Sequence, residues 1–163
     1  MPKTPLHSAA QTGNLQQVLG LLRDGAPVTC WDKDGWTPLH HACRYNHLEV
    51  ARELIRRGAD VNAKNKRKVS PLHESSYRGY IKLVSLLLQE GADVDATDKD
   101  GWTPLHAACR QGNIDIVLLL VEANADTHHR RYSLSLPPRL RPSLWLSLSL
   151  SLPPSMAPSS VTL

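Results

Sequence analysis

The sequence predicts an all-α repeat solenoid, and three observations carry the prediction. The tetrapeptide Thr4-Pro5-Leu6-His7 returns at 37–40, again as Ser70-Pro71-Leu72-His73, and again at 103–106, always at a step of 33 residues without insertion. Residues that tolerate a left-handed backbone keep the same period, as Gly13, Asn46, Gly79 and Gly112 and as Gly25, Gly58, Gly91 and Asn124. An apolar set follows suit: Val18, Leu21 and Leu22, then Ala51, Leu54 and Ile55, then Val84, Leu87 and Leu88, then Val117, Leu120 and Val121. A fixed period of this length marks a supersecondary unit that cannot bury its apolar face alone. Function is therefore sought on the surface of a stack rather than in a single catalytic pocket.

Each unit, taken in order, has a physical reason for its elements. The hydroxyls of Thr4, Thr37, Ser70 and Thr103 suit a helix N-cap. The proline after each suits the first helical turn, where its missing N–H costs nothing. The short first helix, Pro38 to Tyr45 in the second unit, stops at Gly or Asn, which accept the left-handed conformation at a helix C-terminus. A second helix, Leu48 to Arg57 in that unit, places its apolar residues close to one face. Gly58 and its equivalents end it, with Asn124 expected to do so in the last unit. The polar stretch that follows reads as a tight β-turn or hairpin tip.

A helix, a turn, a second helix and a protruding turn, with T-P-L-H-x-A at the start, resembles the ankyrin repeat family. The segments DKDGWTPLH at 32–40 and GADVD at 91–95 carry the likeness most closely. It covers residues 1–126 as units near 4–36, 37–69, 70–102 and 103–126. The resemblance implies a protein-protein interaction module or adaptor that binds another protein through the concave surface of turn tips and first helices, and it implies no enzymatic activity.

Composition divides the chain at the same place. All fifteen Asp and Glu, and fifteen of the nineteen Lys and Arg, lie at or before residue 126, so the array is formally neutral and the net charge of +4 belongs to Arg130, Arg131, Arg139 and Arg141. A basic pI would otherwise suggest nucleic acid; the array as a whole gives that partner class little support. Residues 127–163 contain no acidic residue and no glycine, and nine Ser, nine Leu and six Pro make up most of them. They read as a disordered low-complexity tail. The Ser-Leu alternation at 143–152 is an aggregation hazard if exposed, and it is also what a CT dinucleotide repeat encodes in any frame. The last unit looks like an internal repeat without the polar outer face of a cap. Cys30, Cys43 and Cys109 form no C-x-x-C and are odd in number; Cys43 and Cys109 share one repeat position and read as small buried residues. Reduced thiols, no apolar leader at 1–11 and no run of about 18 apolar residues point to a cytoplasmic or nuclear protein without a transmembrane segment.

The family's concave surface maps here onto the tips and first helices. The tips supply Trp31, Lys33, Asp34, Trp36, Lys64, Lys66, Arg67, Val69, Thr97, Lys99, Asp100 and Trp102; the first helices supply Arg44, Tyr45, Tyr77, Arg78, Arg110 and Gln111. Trp, Tyr and Arg dominate interface hot spots. Trp36 and Trp102 also suit a bracing role in their own turns, whereas Lys64 and Thr97 stand where Trp31 stands, which marks Trp31 as a contact residue. The third tip departs from the pattern. Lys68 replaces the glycine of positions 35 and 101, and if that position needs positive φ it costs roughly 1–2 kcal/mol. With Lys64, Lys66 and Arg67 the tip holds four cations in five residues, which fits an acidic protein, a nuclear localisation signal, a phosphate contact or a solvated turn. An alternative function follows, binding of nucleic acid or an anionic membrane through Lys64–Lys68 and the tail arginines.

Eight histidines invite a metal. The four in T-P-L-H sit in units stacked about 10 Å apart, too far to share an ion that needs ligands at about 2 Å; the family uses this imidazole to tie adjacent loops. His41 and His47 read as isolated. No phosphate loop, dinucleotide fingerprint, zinc-protease or nucleophile motif occurs, so no cofactor, metal or catalytic residue is expected. Asn62, after Leu54 and in Asp60-Val61-Asn62, resembles the ankyrin context for asparagine β-hydroxylation; its ordinary role is turn hydrogen bonding.

Overall fold

The computed structural model describes residues 2–132, with side chains through residue 124. It contains eight helices in four pairs: α1 (Pro5–Thr12) and α2 (Leu15–Arg23), α3 (Pro38–Arg44) and α4 (Leu48–Arg56), α5 (Pro71–Arg78) and α6 (Ile81–Gln89), α7 (Pro104–Gln111) and α8 (Ile114–Tyr132). Among the described residues there is no strand. The tail assigned to 127–163 falls mostly outside the described residues; only the end of α8 enters it.

Proline opens all four first helices, preceded by a Thr or Ser in extended conformation. The N–H groups of His40, His73 and His106 each donate to the preceding hydroxyl oxygen at 3.4 Å. At Thr4 the hydroxyl meets the His7 ring but takes no backbone cap bond. The left-handed stops are where the period puts them: Gly13, Asn46, Gly79 and Gly112 have φ of 73°, 62°, 81° and 72°. Only the backbone requires this, and Asn is the non-glycine residue that enters αL most readily.

First helices pack on first helices along the chain, α1 on α3, α3 on α5 and α5 on α7; α2 packs on α4 and α4 on α6. The result is a two-layer stack whose core lies between the layers. Leu6, Leu39 and Leu72 from one layer and Val18, Leu54, Leu83, Leu87, Ile116 and Leu120 from the other are almost wholly buried. Full burial of such a side chain contributes roughly 1.5–3 kcal/mol, which is how four individually unstable hairpins hold together.

Two expectations need correction. Asn124 is not a helix cap: α8 runs through it to Tyr132, and among the described residues positive φ outside glycine occurs at Asn46 and Lys68. Residues 123–132 hold neither Gly nor Pro, and asparagine only permits a left-handed stop without imposing one. Cys109 is exposed although Cys43, two periods earlier, is fully buried. That position faces the next unit in the stack, and α7 has no such neighbour among the described residues.

Candidate functional site

The tips are built by one side-chain device repeated three times. Asp32, Asn65 and Asp98 are equivalent by the period, and each uses Oδ1 to accept two backbone N–H groups of its own turn. Asp32 takes those of Asp34 and Trp36 at 2.9 Å each, Asn65 those of Arg67 and Val69 at 2.8 and 3.0 Å, and Asp98 those of Asp100 and Trp102 at 2.9 Å each. The backbone closes the same loop, with the N–H of residues 35, 68 and 101 donating to the carbonyl of 32, 65 and 98. The residue after this turn is left-handed: φ is 79° at Gly35, 59° at Lys68 and 79° at Gly101. The third tip therefore carries the strained lysine expected from its sequence. Adjacent tips are also stitched, Lys66 N–H to Asp34 C=O at 3.1 Å and Lys99 N–H to Arg67 C=O at 3.0 Å. A Cβ on Gly35 would sit 2.9 Å from the Lys66 nitrogen, so that glycine is also needed for the stitch.

The T-P-L-H imidazoles of the first three units hold their first helix to the following tip. In the second unit the Thr37 N–H donates to His40 Nδ1 at 3.2 Å, and Nε2–H donates to the Val69 carbonyl at 3.0 Å. His7 reaches the Trp36 carbonyl at 2.9 Å and His73 the Trp102 carbonyl at 3.0 Å. Because Nδ1 is an acceptor here, the ring is neutral with its proton on Nε2. Burial pushes the His40 pKa down to about 4 and lowers those of His7 and His73, against the pull of the carbonyls they meet.

His41 and His47 are not isolated. His41 Nε2 lies 3.1 Å from the Asp32 carboxylate, and its ring stacks near Trp36 at 5.5 Å. His47 Nε2–H donates to the Gln11 carbonyl at 2.9 Å, and Asn113 makes the matching cross-repeat bond to Ser76. These polar links lie off the T-P-L-H motif and are invisible without knowing which turns become neighbours. Asn62 is a bridge of the same kind: its amide donates to the Gly91 carbonyl at 3.2 Å and accepts from the Asp93 N–H at 2.8 Å. The turn role suggested by its sequence thus extends to the next repeat.

One groove, of about 420 Å³, crosses three units on the side of the first helices. Of the candidate residues it gathers Arg44, Arg67, Val69, Tyr77, Arg78, Asp100, Trp102 and Arg110. It adds four outside the candidate set, His73, Ala107 and the two acids Glu74 and Asp98. Asp98 was hidden because its role is set by the turn, and Glu74 because its equivalents are the unrelated Ser8, His41 and Ala107. Burial lifts the Glu74 carboxyl above its usual range, while Arg44, Arg78 and Arg67 pull it back. Trp31, Lys33, Asp34, Tyr45, Lys64, Lys66 and Lys99 do not line the groove. Trp31 stands free at 59% exposure, and Tyr45 accepts a bond from Gln11. Trp36 is half-buried between His40, His41 and the guanidinium of Arg44, so it braces its turn. Trp102 is 41% exposed and lies in the groove.

Among the described residues, no group of three His, Cys, Asp or Glu side chains is placed to hold a metal, and no helix is long and apolar enough to cross a membrane. A comparison with curated proteins gives no match. A family model described as ankyrin repeats in three copies matches residues 1–65 and 62–131. Ankyrin repeats are in general protein-protein interaction modules and typically not enzymes. With the 33-residue period, the paired helices and the histidine-tied tips, the chain belongs to the ankyrin repeat family.

Proposed function

We propose that this chain is a protein-binding module or adaptor subunit whose partner lies across the first helices and turn tips of the second to fourth units. The observation that carries the reading is the groove itself, where Tyr77, Trp102 and four arginines from three repeats converge. Tyr77 and Trp102 are each 41% exposed with apolar ring surface facing solvent, the residue types whose burial dominates interface energies. Stitched tips and histidine-tied helices hold these side chains on rigid backbone, so little order is lost on binding. Three free thiols among the described residues suit a reducing compartment, and we assign the protein to the cytosol or nucleus on that ground.

The test is site-specific photo-crosslinking in cells. A crosslinker at Tyr77 should capture a protein partner, and one at Arg52 on α4, outside the groove, should not. Capture from position 52 alone would overturn the reading.

A further inference from the structure

Resting on that reading, the geometry points to an acidic, extended peptide segment as the occupant of the groove, its carboxylates recurring about every third residue and meeting Arg44, Arg78 and Arg110. The last turns of α3, α5 and α7 each carry one of these arginines. Each guanidinium lies on an aromatic ring: Arg44 at 4.9 Å from the Trp36 centroid, Arg78 at 6.0 Å from Tyr77 and Arg110 at 5.7 Å from Trp102. A ring covers the face of a guanidinium and leaves its N–H edges free, and those edges match a carboxylate with two parallel hydrogen bonds.

Inside the groove four arginines face three carboxylates, Glu74, Asp98 and Asp100, and it is the geometry of the acids that leaves the N–H edges of these three arginines open. None of them takes part in an ion pair among the described residues. Asp98 Oδ1 is held by two N–H groups of its own turn, and Asp100 lies 3.8 Å from Arg67. Glu74 is the remaining acid; burial works against its ionised form while Arg44, Arg78 and Arg67 favour it, and among the described residues it makes no contact of ion-pair length with any of them. The spacing sets the form of the ligand. Stacked helices lie about 8–10 Å apart, and an extended chain advances about 3.3 Å per residue. One repeat thus corresponds to about three residues of ligand, so acidic side chains at every third position can reach successive arginines.

The probe is a fluorescein-labelled twelve-residue peptide of four Glu-Gly-Ser triplets, titrated with the full chain at low and moderate salt. Its Gln-Gly-Ser counterpart, its Lys-Gly-Ser counterpart and a thymidine dodecanucleotide serve as comparisons. The Glu peptide is expected to bind at least tenfold more tightly than the Gln peptide and to weaken as salt rises. Combined Arg44→Gln, Arg78→Gln and Arg110→Gln should abolish that preference, and the three Arg→Lys changes should retain only part of it. Circular dichroism checks the fold of the combined variant; the exposed Arg110→Gln alone should reduce the preference severalfold if the combined variant does not fold. Equal affinity for Glu and Gln peptides, indifference to the arginine changes, or tighter binding of the oligonucleotide overturns the inference. A partner that crosslinks at Tyr77 but tolerates all three Arg→Gln changes overturns the inference alone and leaves the proposed function standing.

Discussion

The Nε2 of His40 donates to the carbonyl oxygen of Val69 at 3.0 Å, across 29 residues of sequence. This bond joins the start of one helix to the tip of the next unit, and its other end caps Thr37. His7 and His73 make the same bond to the tips that follow them. His106 has the same local contacts with Thr103 but is exposed. We predict that His40→Ala costs about 2–4 kcal/mol, since it leaves buried polar groups unpaired and a cavity. His106→Ala should cost less than about 1 kcal/mol. Urea midpoints of the two variants check the contrast; equal losses would contradict it.

Acid should loosen the stack through its buried histidines. The folded pKa values of His7, His40 and His73 lie below the ordinary histidine value. The unfolded chain therefore binds more protons below about pH 6.5, and stability falls with pH there. The histidine contribution is fully present above that pH and is lost progressively down to about 4, where His40 itself titrates. For His40 alone the loss amounts to about 3 kcal/mol. Urea unfolding at steps from pH 8 to pH 4 reads the slope, and His40→Gln should flatten it; a flat profile in the parent protein would refute the assignment.

Position 68 offers a gain. Lys68 holds φ at 59° where its counterparts are glycines, so Lys68→Gly should stabilise by up to about 1.5 kcal/mol, the left-handed strain less the entropy of glycine. Lys68→Ala should not. Gly101→Ala carries the conformational penalty alone, because nothing lies within 4 Å of its missing Cβ, whereas Gly35→Ala also clashes with the Lys66 nitrogen at 2.9 Å. Thermal melts should therefore rank Gly35→Ala as the more damaging of the two.

The cysteines report which faces are covered. Cys109 should react with a thiol reagent in the native protein at nearly the rate of a free thiol. Cys43 is fully buried, and desolvation raises its pKa, so it should react only on unfolding. Native labelling at Cys43 would mean that the second and third units separate readily.

Trp31 should be dispensable for folding. It is 59% exposed, and Trp31→Ala is expected to change stability by less than about 0.5 kcal/mol. A larger loss by urea melt would assign it a structural role; an unchanged melt with weakened partner binding would support its choice as a contact residue.

The sequence by itself determined the period, the eight helix starts, the left-handed stops and the strained lysine, because each is set by local backbone chemistry that repeats in register. It misjudged Asn124, whose residue type permits a stop but does not force one, and Cys109, whose burial depends on a neighbour rather than on its own unit. Only the tertiary structure decided that His41 and His47 bond across turns, that Glu74 shares a groove with the arginines that act on its charge, and that Arg44, Arg78 and Arg110 line that groove while Trp31 and the Lys64–Lys66 side chains do not. The reason is physical: a repeat encodes the shape of its unit in one period of sequence, but the environment of a surface side chain is made by residues one or two periods away.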